Sequence, residues 1–267
     1  MLPLALLLLA GCSGGERATG GGIVSLNPCA DQLLLALVPP SRIAAISHYS
    51  QQPSATSIPL EVARRFPAVA GTAEEVIARA PDLVIASSFT PPASRAAFAR
   101  AGLRTLYLDS PVTIAASQAQ VTQVAQAVGA QAAGRALNAR IDAGLAAARR
   151  NDAPVPALLY IGGDMVNGGG TLLDEMMKRT SFRNMATDYG VAMTATLPVE
   201  AILARPPALI LSPPSGGRTA AIRARLLRAT GAQVRQISFP SRFMNCGGPT
   251  IPAALERLAA IRRQVTP

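Results

Sequence analysis

Glu74-Glu75-Val76-Ile77-Ala78-Arg79-Ala80-Pro81-Asp82-Leu83-Val84-Ile85-Ala86-Ser87 has an echo in the second half of the chain. The echo is Glu200-Ala201-Ile202-Leu203-Ala204-Arg205-Pro206-Pro207-Ala208-Leu209-Ile210-Leu211-Ser212-Pro213. Each copy opens on a Glu, places a Pro seven residues later and runs straight into an apolar stretch. A proline ring removes a backbone donor and disfavours a helical residue before it. Each copy therefore reads as a short helix that stops ahead of the Pro and leads into a strand. Duplication of the unit predicts two similar α/β lobes, each presenting a carboxylate at an equivalent place.

The flanking segments fit that reading. Residues 22–26 read as a strand, 28–37 as a helix with Pro28 at an early helical position, and 42–47 as a second strand. A polar loop carrying His48 and Tyr49 follows, and Thr72 is the expected N-cap of the first repeated helix. Strand 83–86, helix 93–101 closed by Gly102, and strand 105–108 complete the first half. Strands separated by helices imply a parallel sheet with crossovers. Residues 114–150 are rich in Ala, Gln, Leu and Arg, contain no Pro, and carry apolar residues at helical spacing. They read as a long stiff connector, with Gly129 and Gly134 as the places where it would break. After the Pro-punctuated boundary at 152–156, strand 157–161 leads through a glycine-rich loop, 162–170, to a helix over 171–179. The second repeat follows, then helix 220–229, strand 233–239 and a closing helix over 249–263.

Composition narrows the function classes. Nearly half of the 267 residues are hydrophobic and 15% are charged, enough apolar material for two cores. The net charge is +10, almost all from arginine, because Lys178 is the only lysine. No basic run is interleaved with aromatics and there is no Trp, which disfavours nucleic acid. A positive field suited to anionic ligands or lipid headgroups remains. Residues 1–12 form an apolar run too short to span a bilayer, with the length of a signal-peptide core. Its ending, Leu9-Ala10-Gly11-Cys12, resembles the lipobox of bacterial lipoproteins, in which the Cys is acylated. Residues 13–22 then read as a Gly/Ser-rich tether. These features predict an exported chain, lipid-anchored at Cys12 in the periplasm.

Taken in order, the pieces resemble the periplasmic binding proteins of cobalamin and ferric-siderophore ABC transporters. The opening Ile23-Val24-Ser25-Leu26-Asn27-Pro28, the paired Glu-led units, and Gly169-Gly170-Thr171-Leu172-Leu173 followed by Asn184 carry the resemblance. The second unit departs by placing Ala208 where the first has Asp82, and Thr180-Ser181-Phe182-Arg183 stands where glycines are usual. The resemblance implies an α/β fold of two Rossmann-like lobes joined by a single long backbone helix, with the ligand cleft between them. The expected divisions are a signal peptide at 1–12, a tether at 13–22, an N-terminal lobe at 23–113, a connecting helix at 114–151 and a C-terminal lobe at 152–267. It further implies that Glu74 and Glu200 dock onto arginines of a membrane permease. The implied partners are an ABC permease and ATPase complex and a small metal chelate, such as a ferric siderophore or cobalamin. No intrinsic cofactor is implied; the metal belongs to the cargo.

In open α/β sheets, ligands sit beyond the carboxyl ends of the strands. That rule places Asn27, Pro28, Cys29, His48, Tyr49, Ser88 and Phe89 on one wall of a cleft. Gly163, Asp164, Met165, Asn167, Arg242, Phe243 and Cys246 fall on the other. Cys29 and Cys246 thus lie on loops of different lobes, with His48, the only histidine, on the wall that carries Cys29. Three readings stay open for this pair: an interlobe disulfide, two inert thiols, or with His48 a soft-metal site. Tyr49, Phe89, Tyr160 and Phe243 are candidate aromatic platforms for cargo, and Arg242 a candidate anion partner. The competing function class is a thiol-dependent periplasmic enzyme using Cys29 and His48. No His-Glu-x-x-His or Gly-x-Ser-x-Gly motif is present to support other enzyme chemistry. A surface lipoprotein with a scaffold or sensor role is a third reading, and it predicts no closable cleft.

Overall fold

The computed structural model describes residues 21–214, 217–231 and 233–265. The expected signal peptide, Cys12 and residues 13–20 of the expected tether lie outside the described residues. Lobe 1 begins with β1 (Ile23–Ser25), α1 (Pro28–Leu37) and β2 (Ile43–Ser47). It continues through α2 (Leu60–Ala63), β3 (Ala68–Val69), α3 (Ala73–Ala78) and β4 (Leu83–Ser87). It closes with α4 (Pro92–Arg100) and β5 (Thr105–Leu108). All neighbours in its sheet, order β3-β2-β1-β4-β5, run parallel. β1 and β4 are almost wholly buried, which is why their sequences are continuous apolar runs rather than alternating ones.

The connecting stretch is two helices rather than one rod: α5 (Ile114–Ala127) and α6 (Gln131–Ala148). The break falls at the first of the two expected glycines. Gly129 adopts φ +69°, which a residue with a Cβ rarely takes, and α5 and α6 fold back against each other. Gly134 does not break the chain; a Cβ there would come within 2.5 Å of the Ala125 Cβ, so its role is close helix packing. Asn138 clamps the pair by donating to the Gln118 carbonyl and to Thr122 Oγ1, each at 3.1 Å. Both helices touch both lobes: α5 packs against α1 and the first helix of lobe 2, and α6 against α1 and the last helix of lobe 2.

Lobe 2 runs β6 (Val155–Gly162), β7 (Met165–Asn167), α7 (Leu172–Arg179), β8 (Phe182–Asn184) and β9 (Thr194–Thr196). It ends with α8 (Val199–Ala204), β10 (Leu209–Ser212), α9 (Gly217–Ala229), β11 (Arg235–Ser238) and α10 (Ile251–Gln264). Its sheet order is β11-β10-β6-β7-β9, with β8 paired to the start of β6. The glycine-rich stretch expected as a loop folds back as β7, antiparallel to β6, and β9 pairs antiparallel to β7. Gly168 makes this possible: a Cβ there would lie 2.5 Å from the Met193 carbonyl oxygen. The repeated units are superposable in role, α3 leading into β4 beside β1 and α8 into β10 beside β6.

One apolar core runs from β1 and α1 through α5, α6 and α10 to β6 and β10, while the far face of each sheet has its own cluster. A disulfide joins the lobes covalently, linking Cys29 on α1 to Cys246 ahead of α10, with Cα atoms 5.3 Å apart and 217 residues between them. Inside lobe 1, fully buried Asp31 holds the loop after β2. Its Oδ2 accepts from the Ser47 amide at 3.0 Å and from Ser50 Oγ at 2.6 Å, while Oδ1 has no partner among the described residues. Burial pushes its carboxyl up from 3.8 to about 7, against the opposing pull of the nearby Ser25 hydroxyl and of the hydrogen bonds from Ser50 and Ser47.

Two outcomes follow from this scaffold. Closing a loop of 217 residues stabilises by about 5 kcal/mol in the chain-entropy picture. The thermal midpoint should fall on adding reductant, and a Cys29→Ser/Cys246→Ser chain should start low and no longer respond; equal midpoints in both conditions would remove the covalent tie. For Asp31, the folded form keeps its proton through the interval in which the unfolded form releases it. Its contribution to stability therefore falls as pH rises from about 4 to about 7 and is level above that. Asp31→Asn should raise the thermal midpoint more at about pH 8 than at about pH 5, as read by calorimetry.

Candidate functional site

Both sheets turn the carboxyl ends of their strands toward the gap between lobes. The floor of that gap is a cavity of ≈ 210 Å³. Lobe 1 contributes Cys29, Gln32 and Leu33 of α1 and Ser110, Pro111 and Val112 beyond β5. The far side comes from Ile161 and Asn167, the start of α7, Thr194, and the segment 243–248. The floor is tied across: Gln32 Nε2 donates to the Gly247 carbonyl at 2.6 Å, the Gly248 amide to Ser117 Oγ at 2.8 Å, and Asn245 Nδ2 to the Thr56 carbonyl at 3.2 Å.

Of the sequence-derived residues, Cys29, Asn167, Phe243 and Cys246 line this cavity together. Asn27 and Pro28 start α1: the Asn27 side chain caps the helix by accepting from the Cys29 amide at 2.8 Å. His48 and Tyr49 stand at the rim beyond β2, their rings 4.0 Å apart; Tyr49 is 48% exposed, while His48 is half-buried with Nδ1 3.2 Å from the Val69 carbonyl. Ser88 is fixed by its amide to Leu108 and by Arg95 on its carbonyl, and this turn lifts Phe89 to 79% exposure. Gly163 and Asp164 form the β6–β7 turn, held by Arg223 of α9, whose Nη1 lies 3.1 Å from the Gly163 carbonyl and 3.6 Å from Asp164 Oδ1. Met165 is exposed beside them. Arg242 is exposed, its guanidinium 4.8 Å from the Phe243 ring centre.

Three expectations are corrected. The soft-metal set of Cys29, His48 and Cys246 fails because the two sulfurs bond each other and offer no thiolate; no group of three or more metal-binding residues occurs among the described residues. The same bond removes the nucleophile from the Cys29/His48 enzyme reading. Tyr160 is likewise no platform: it is 1% exposed with the Arg223 guanidinium 3.5 Å from its ring, and burial pushes its phenol up to about 12.

Sequence reasoning missed Gln32, Ser117, Leu172 and Thr194. The signal for Gln32 was available: Asp31-Gln32 is a polar pair directly ahead of Leu33-Leu34-Leu35, yet both side chains are buried. Glu74 and Glu200 each occupy the second position of their helices, are exposed, and have no ion pair among the described residues. Glu75 is the structural member of the pair, accepting from the Ala70 and Gly71 amides at 2.8 and 3.3 Å.

Comparison with known proteins agrees with this architecture. A search of curated protein sequences found no match. Among solved structures, the periplasmic heme-binding protein BhuT in complex with two hemes is 25% identical, with 92% of this chain and 99% of that chain covered and a TM-score of 0.70. The periplasmic heme-binding protein RhuT from Roseiflexus sp. RS-1 is 24% identical over 91% of this chain and 97% of its own, with a TM-score of 0.68. The periplasmic vitamin B12-binding protein BtuF of Vibrio cholerae is 19% identical over 91% and 98%, with a TM-score of 0.69. A family profile described as periplasmic binding protein matches residues 23–233. With two lobes, an open gap and that match over most of its length, the chain belongs to the periplasmic binding protein family.

Proposed function

We propose that the chain is the substrate-binding lipoprotein of an ABC importer, anchored at Cys12, and that its cargo is a metal tetrapyrrole of the haem class. The observation that carries the cargo assignment is where large apolar side chains stand in water. Tyr49, Phe89 and Val112 rise from lobe 1 at the carboxyl ends of β2, β4 and β5, and Met165 and Met193 from the opposing hairpin of lobe 2. The floor cavity, at ≈ 210 Å³, is smaller than the roughly 300–1,000 Å³ that encloses drug-sized ligands. A larger flat cargo therefore lies across the rim rather than inside it. The apolar rim suits the faces of a macrocycle, the Tyr49 phenol offers an oxygen ligand to ferric iron, and exposed Arg242 suits a carboxylate. The heme-binding relatives support this reading. A ferric siderophore, whose donor oxygens make a polar surface, suits the rim less well; a corrinoid is the other arm of the test.

Delivery uses the two carboxylates. Equivalent positions on twin lobes fit a permease with two-fold symmetry, and paired charges at opposite ends of a tied body give orientation and encounter rate more than raw affinity.

Titrating purified protein with haemin and with cobalamin, followed by visible absorption, should give a saturating shift with haemin. Phe89→Ala and Tyr49→Phe should each weaken it about tenfold; saturable binding of cobalamin alone would replace the haem assignment. Glu74→Ala/Glu200→Ala should abolish uptake in cells while haemin affinity stays within about twofold. Unchanged uptake would refute docking and leave the scaffold or sensor reading in place.

A further inference from the structure

Lobe 2 carries a surface that lobe 1 lacks. α9 follows the second Glu-led unit and packs beside α8; α4 is its counterpart after the first unit. At about 3.6 residues per turn, Arg218, Ile222, Arg225 and Ala229 of α9 share one face, with Leu226 and Arg228 flanking it. All of these are exposed, Ile222 at 49% and Leu226 at 36%. The inward face instead carries Arg223 and Leu227, at 3% and 1%. α9 contains no Asp or Glu, and the side chains of Arg218, Arg225 and Arg228 have no hydrogen bond or ion pair among the described residues. α4 shows nothing comparable: its exposed positions are mainly Ala93, Ala96, Ala99 and Arg100, and Arg95 is spent on the Thr90 and Ser88 carbonyls.

We propose that α9 rests on anionic lipid headgroups of the membrane beside the importer, with Arg218, Arg225 and Arg228 on phosphates and Ile222 and Leu226 at the headgroup–acyl boundary. Arginines interleaved with exposed aliphatics on a helix surface are the chemistry of interfacial binding. The asymmetry argues for lipid over permease. A two-fold permease meets both lobes alike and answers to the twin carboxylates, whereas a cationic face on one lobe answers to a partner without that repeat. The placement next to the importer rests on the docking reading of Glu200; the lipid affinity does not.

The test is co-sedimentation of the full chain carrying Cys12→Ser, so that no acyl group contributes, with phosphatidylglycerol-rich and with pure phosphatidylcholine vesicles. Binding is expected only to the anionic vesicles, weakening as salt rises. Arg218→Gln/Arg225→Gln/Arg228→Gln should reduce it about 100-fold, and Ile222→Ser/Leu226→Ser should reduce it as well, with thermal midpoints unchanged in both. Equal binding by the arginine variant, or none by the parent chain, would overturn the proposal. Loss of binding to detergent-purified permease, with no vesicle binding by the parent, would assign the face to the permease instead. Because no permease is present in the vesicle assay, its outcome is independent of whether Glu74 and Glu200 dock.

Discussion

The tie across the cleft floor is the constraint on which the rest of the molecule depends. Cys29 and Cys246 bond directly, and Gln32, Ser117 and Asn245 add hydrogen bonds between the same two bodies within a few residues of that bond. The apolar core passes beneath it through α5, α6 and α10 without interruption. Gly144 of α6 brings that helix close to α10, where a Cβ would meet Pro252 at 3.1 Å. Two lobes sharing a core and a covalent link have little freedom to swing apart at the base. Freedom to move is left to the rim: the His48–Tyr49 loop, the Phe89 turn and the β6–β7 hairpin.

Those rim elements are not equally stiff. In lobe 1 the rim loops spring from a parallel sheet, and the loop after β2 is pinned by a buried carboxyl group. In lobe 2 the wall is an antiparallel hairpin braced from behind. Thr171 Oγ1 donates to Asn167 Oδ1 at 2.9 Å, and Asn184 Nδ2 reaches the Asn167 carbonyl at 3.0 Å and Asp174 Oδ1 at 3.2 Å. A network in which each buried polar group has a partner fixes the local backbone more firmly than packing alone. The Gly-Gly-Gly stretch is thus shaped by close strand approach at Gly168 rather than left slack.

The fold was legible where local chemistry decides local structure. The Glu-to-Pro units gave α3–β4 and α8–β10 because a first-turn carboxylate, a helix-stopping Pro and a β-branched run each act within a few residues. The disulfide was only one of three open readings, since pairing across 217 residues leaves no trace in spacing. The β7 hairpin was hidden by its composition: glycines and short polar residues look like a loop until β9 arrives to pair with them. The helix break was anticipated at two glycines and occurs at one, because Gly134 serves packing and only Gly129 needs positive φ. The cleft floor was the least visible part. Leu172 and Thr194, which line it, and Ser117, which holds the Gly248 amide beneath it, are ordinary residue types made special only by meeting from distant segments.

Such a far-flung cross-link also imposes an order on biogenesis. A chain threaded across the inner membrane from its amino end exposes Cys29 to the oxidising side long before Cys246 has been translated or translocated. Sealing of the bond therefore records that the segment carrying Cys246 has emerged.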